Sequence, residues 1–200
     1  MKKLLLILSF LIAFNSYSQN NDGIEICLQY QKSLKSFITD KEAEDALNKI
    51  LNVIGASRNF FLVSCDEISN ALAITFKGER YILYDKDFID KIEDITNNWS
   101  GLFILAHEIG HHINGHTRDF LLAEVLDEQS KEKQREEELE ADEFAGFIVA
   151  NLGAKYNEVS ELLDLFDDSD DTYSTHPNKD KRRKAVKKGF DKFKPKVEIV

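Results

Sequence analysis

The sequence predicts an α+β fold, mainly helical, with a small β-sheet or hairpin set beside one buried helix. Three observations carry this expectation. Apolar residues recur at helical spacing along most of the chain. Strand-like patterning is confined to the stretch from Asn59 to Tyr84, and the segment from Leu102 to Ile113 is too apolar for a surface helix. A chain of 200 residues, 42% hydrophobic and 31% charged, is long enough to bury one core.

The first eighteen residues differ from the rest. Lys2 and Lys3 precede an apolar run of 11 residues, Leu4 to Phe14, broken only by Ser9, and Ser16 and Ser18 then place small residues at the positions a signal peptidase reads. A membrane-spanning helix needs about 20 apolar residues, so this run reads as a cleaved signal over 1–18 rather than an anchor. One domain is expected over 19–200, with no membrane span after cleavage. A lysine-type signal points to bacterial export, into the periplasm or the medium. In such an oxidising compartment Cys27 and Cys65 either pair or remain two buried thiols.

Ile24, Cys27, Leu28, Leu34 and Ile38 give a loose helical period over Gly23 to Ile38. Thr39 with Glu42 has the form of a capping box before a second helix, which Gly55 stops. Asn59 to Cys65 reads as a strand, and Ala71 to Tyr84 as a hairpin turned at Lys77-Gly78. Phe88 to Ile95 reads as a helix, and Ser100 is a candidate cap for a helix reaching Asn114, where Gly115 ends it. A long, interruptible helix covers Asp119 to Leu152, and a short one Asn157 to Phe166. The acidic loop Asp167 to Asp171 and the basic tail Lys179 to Lys196 carry opposite charge and can fold together. The formal net charge of -10 excludes nucleic acid as a partner, since phosphate binding needs a basic patch.

Chemistry concentrates in one place. Four of the five histidines lie between Leu105 and His116, in a segment containing His107-Glu108-Ile109-Gly110-His111. Residues four apart share a helical face, so His107 and His111 can hold one tetrahedral zinc ion. Glu108, one position round, is placed to take a proton from water rather than to bind the metal. Leu102, Phe103, Ile104, Leu105, Ile109 and Ile113 bury this helix, and burying histidine and glutamate without a partner is costly.

A catalytic zinc needs a third protein ligand and an open position. A third histidine at 117 would follow the metzincin pattern, but Asn114 and Thr117 break it. His116, five residues past His111, is rotated away from the shared face and reads as a cap or a surface residue. The segment Glu136 to Asp142 is the better source. Glu138 and Asp142 share a face, so Glu138 can complete the metal shell while Asp142 accepts a hydrogen bond from a ligand imidazole. By spacing alone Glu137 and Glu140 compete with Glu138. Small Ala141 and Ala145 permit a close approach to the histidine helix.

His107-Glu-Ile-Gly-His111-His-Ile-Asn-Gly-His116, then Glu138-Leu-Glu-Ala-Asp142, then Thr175-His176-Pro177 with Arg182, resembles the gluzincin family of HtpX and the CAAX prenyl endopeptidases. The likeness runs from about Ser100 to Arg183 and, because the mature chain carries none of the family's membrane helices, is nearest to the small, exported, BepA-like members, whose repeat domain it lacks. It implies a zincin-like domain, one zinc per chain on His107, His111 and Glu138, and Glu108 as general base. It implies protein or peptide substrates in the cell envelope, with a role in quality control. His176 would then either stabilise the oxyanion or occupy the fourth metal position and hold the enzyme shut. Arg182 would anchor the loop through a carboxylate. The rival expectation is a zinc-stabilised chaperone or assembly factor, or a latent protease opened by a regulatory partner. A factor without catalysis has no use for Glu108.

Overall fold

A computed structural model describes residues 23–28, 40–117, 128–166, 171 and 174–193, with the backbone alone at 128–130. The expected signal peptide, Thr39, the start of the expected long helix and most of the acidic loop lie outside these residues. The architecture is α+β, helical for most of its length, with one three-stranded sheet.

The helical segment 23–28 is followed by α1 (Lys41–Ile54). Asp40 caps α1 by accepting from the Ala43 N–H at 2.7 Å, so the cap is this aspartate. Gly55, at φ 63°, ends the helix in the left-handed conformation. Strands β1 (Phe61–Ser64), β2 (Ala71–Phe76) and β3 (Glu79–Tyr84) form a sheet in the order β1-β3-β2, with β1 parallel and β2 antiparallel to β3. The hairpin turns at Lys77 and Gly78, at φ 52° and 81°, the two-residue geometry that suits the strands' twist. The pleat sorts β3 between two cores. Ile82 and Tyr84 face the main helical core, while Tyr81 and Leu83 join a second cluster with Val63, Ile74, Phe76, Ile24 and Leu28.

α2 (Lys86–Ile95) is capped by Asp85. The buried helix, α3, spans Trp99–Asn114 and begins earlier than a Ser100 cap would have it. Ser100 is fully buried inside α3, sharing a 2.7 Å hydrogen bond with Thr96, and the helix entry is held by Asn97, which accepts from the Trp99 N–H at 2.9 Å. Ser100 lost the cap because Asn97 already supplies an acceptor one turn earlier. α4 (Glu128–Leu152), α5 (Tyr156–Leu163) and α6 (Lys179–Lys192) complete the described chain. The basic segment is thus mostly a helix. It meets acidity at Asp171, which accepts from Lys181, and at Glu143, which pairs with Lys188 and Lys192. Among the described residues no helix is long and apolar enough to cross a membrane.

Two close helix contacts position the site. A Cβ on Gly110 of α3 would lie 3.2 Å from the Cα of Ala141 in α4, and Ala141 and Ala145 are both fully buried there. On the other side of α4, a Cβ on Gly189 of α6 would come within 2.1 Å of the Glu143 carbonyl, so only glycine admits this approach. α4 is therefore clasped between α3 and α6.

Cys27 and Cys65 form a disulfide with Cα atoms 5.8 Å apart, tying residues 23–28 to the end of β1. Intact-mass analysis with alkylation should show two thiols only after reduction. Closing a loop across 38 residues should stabilise the fold by about 4 kcal/mol on the chain-entropy account, so the Cys27→Ser/Cys65→Ser variant should unfold at correspondingly lower denaturant. Two thiols alkylated without reduction would contradict the bond.

Candidate active site

α3 presents His107 and His111 from one face, and α4 presents Glu138 opposite them. The His107 Nε2 and His111 Nε2 atoms are 3.1 Å apart, and the Glu138 carboxylate lies 3.3 Å from the first and 3.5 Å from the second. These three side chains form the group of the described residues able to hold a metal ion. Ligand atoms about 2.0 Å from a tetrahedral zinc stand roughly 3.3 Å from one another, so the donor set and its spacing fit that ion. Glu137 and Glu140, equal candidates by spacing, point elsewhere: Glu137 pairs with Lys133 at 3.5 Å, and Glu140 with His116 at 3.0 Å.

Each imidazole keeps its second nitrogen occupied. The His107 Nδ1–H donates to Asp142 at 3.0 Å. Asp142 is fully buried and accepts two further bonds from Arg182, from Nε and from a terminal nitrogen, each at 2.7 Å. Arg182 itself stacks over Phe166, its guanidinium carbon 4.1 Å from the ring centre. Burial raises the cost of the Asp142 charge, yet the adjacent Arg182 overrides it and holds the carboxyl below its usual range. The same competition governs His107. Burial disfavours its charged form, but hydrogen bonds to Asp142 and Glu138 prevail and lift it to about 10. The carboxylates around this point therefore demand positive charge.

Glu108 is buried, and burial raises its pKa despite the lowering influence of His107 and His111. It accepts a hydrogen bond from the Ala73 backbone N–H of β2. The bond from the Asp85 N–H to the Asn70 carbonyl, 2.8 Å, fixes the phase of the hairpin ladder. Ala71, Ala73 and Thr75 then turn their backbone groups away from β3, along the outer edge that crosses α3.

His176 reaches the same centre, with Nδ1 3.2 Å from Glu138, but stands outside the group of three mutually close donors. Its loop is tethered by Arg135, which donates to the Ser174 carbonyl at 2.7 Å and the Asp171 carbonyl at 3.3 Å. Within the charged run of α4, Arg135 thus has a positioning use that a solvated face would not. His112 belongs to the scaffold. It stacks on Phe60 and bonds the Tyr81 carbonyl at 2.9 Å, and burial pushes its pKa down to about 4.

His116 departs from expectation. It is not turned away: its Nδ1 is 3.2 Å from the His111 Nδ1. The rotation argument fails because α3 ends before it. Gly115, at φ 76°, closes the helix, and the His116 N–H bonds back to the His111 carbonyl at 2.9 Å. This six-to-one bond belongs to a glycine-terminated helix end and folds His116 over His111. Gly115 was the signal in the sequence that could have placed it.

A protein-family model, peptidase U49, matches residues 10–195 of the chain. No curated protein matches it.

Breaking the Asp142–Arg182 pair should be costly, because removing one partner strands a buried charge. Asp142→Ala should lose about 3–5 kcal/mol of unfolding free energy in chemical denaturation. A loss under 1 kcal/mol would show that Arg182 finds another partner.

Proposed function

This chain belongs to the peptidase U49 family, and on that premise we propose that it is a zinc-dependent endopeptidase of gluzincin type acting on proteins of the cell envelope. One observation carries the zinc reading: His107, His111 and Glu138 converge at tetrahedral edge distances beside a buried glutamate that is not among them. When bound, zinc supplies a Lewis acid that lowers the pKa of water and polarises a carbonyl.

The chain's own groups supply the rest. Glu108, held in a dry site by Ala73, accepts the proton of the attacking water at its carboxylate and returns it to the leaving amine. Either side of the Ala73 N–H that Glu108 occupies, the outward backbone groups of Ala71 and Thr75 let an extended substrate pair with the edge of β2. Such pairing reads backbone more than side chains, which suits a quality-control role on unfolded substrates. His176, beside Glu138, is positioned to donate toward charge developing on the scissile carbonyl oxygen. Arg135 and the buried Arg182 hold the elements on either side of it.

The exported location rests on the signal-like residues 1–18, and the Cys27–Cys65 bond supports it, since disulfides persist in oxidising compartments. The resemblance to HtpX and the BepA-like proteases supports the same reading. A chaperone stabilised by the same metal would keep Asp142 and the ligands without a buried, proton-ready Glu108.

Glu108→Gln should abolish cleavage of an unfolded test protein while retaining one zinc per chain by elemental analysis and a wild-type melting temperature. Residual cleavage in this variant would remove Glu108 from the mechanism. Zinc below half an equivalent in wild-type protein after reconstitution would remove the metal. Absence of cleavage by wild type across many unfolded substrates would favour the scaffold, or a latent form awaiting a regulatory partner.

His176→Ala should lower kcat with little change in KM, since the interaction it removes is made in the transition state. A variant faster than wild type would instead assign His176 to closing the site, and unchanged kinetics would deny it both roles.

A further inference from the structure

We propose that His116 and Glu140 form a positioning relay that fixes His111, so that retention of the metal depends on two side chains outside the ligand set. The proposal rests on the metal site described above. It deepens that reading by assigning work to a histidine that does not reach the metal.

Hydrogen-bond directionality allows one arrangement. The His111 Nε2 faces His107 and Glu138 and must present a lone pair to an ion there. The ring proton of neutral His111 therefore sits on Nδ1. That atom is 3.2 Å from the His116 Nδ1, which must accept. The His116 proton is then on Nε2, 3.0 Å from the Glu140 carboxylate that accepts it. Every nitrogen along the line has one role, and the line ends at an anion. The His116 side chain is 7% exposed and that of Glu140 63%, so the relay runs from the buried metal site to solvent.

The two metal-binding imidazoles are thus supported differently. His107 leans on a carboxylate locked in the interior by Arg182. His111 leans on a neutral ring whose far end is set at the surface. The His111 side is where a surface change reaches the ion.

Zinc affinity of the full chain, measured by competition with a chromophoric chelator, tests this. His116→Ala should weaken binding about 10–100-fold. His116→Gln should recover most of the loss, because an amide offers an acceptor toward His111 and a donor toward Glu140. Glu140→Lys should be worse than Glu140→Ala, because a donor at that end drives His116 to the opposite tautomer and sets two N–H groups against each other. In a His116→Ala background the same lysine should add little, whereas a simple through-space repulsion of zinc would persist. Melting temperatures in chelator should match wild type for the Glu140 variants, which decide the question if His116→Ala fails to fold. Wild-type zinc affinity in His116→Ala, or a lysine effect that survives without His116, overturns the relay and leaves the metallopeptidase reading standing. A wild-type chain that takes up no zinc overturns both.

Discussion

The buried carboxylate of Asp142 is the point on which the site depends. It accepts from His107 on α3 and from Arg182 on α6 while belonging to α4, so one side chain joins three helices. A charge this deep is tolerable only when its partners are complete. The apolar contacts supply that completeness indirectly. Gly110 lets α4 come close to α3, and Gly189 lets α6 come close to α4, so that the guanidinium and the imidazole both arrive within hydrogen-bond reach. Packing and electrostatics are here a single requirement. If the helices separate slightly, the ion pair is lost, and if the ion pair is lost, the buried charge keeps only its bond from His107.

The same competition shapes the two neighbouring glutamates. Glu138 is held ionised by three histidines in spite of burial, whereas Glu108, one face round, is pushed toward its protonated form by the same desolvation. The two are thereby shifted in opposite directions. One is held charged, and the other is biased toward its neutral form. The difference lies in the company each keeps, since both are largely desolvated carboxylates of identical intrinsic chemistry.

Much of this was legible because helical periodicity is an arithmetic rule. His107 and His111 on one face, and Glu138 and Asp142 on another, follow from spacings of four. The hairpin was legible because Lys77-Gly78 names its own turn. Other features were decided by tertiary convergence that no spacing contains. Choosing Glu138 over Glu137 and Glu140 required knowing which face of α4 meets α3, and only the resemblance to a known family had pointed to it. Ser100 has the chemistry of a cap, but Asn97 already serves the helix start, and Ser100 is buried against Thr96. In the charged run from Lys131 to Glu143, composition hides direction. Glu138 and Asp142 turn inward, and Arg135 turns to the His176 loop. His116 was missed by extending helical rotation past a residue that ends the helix.

That last residue reaches further than its size suggests. Gly115 carries no functional group, yet its left-handed backbone determines where the neighbouring imidazole falls. A side chain there would meet empty space, but it would strain a conformation that L-residues seldom adopt. The candidate metal site is thus vulnerable to variation at a position that sterics alone would judge permissive. Tolerance to substitution around this pocket is governed by torsion angles as well as by reacting atoms, and a survey confined to polar side chains would draw its boundary one residue too short.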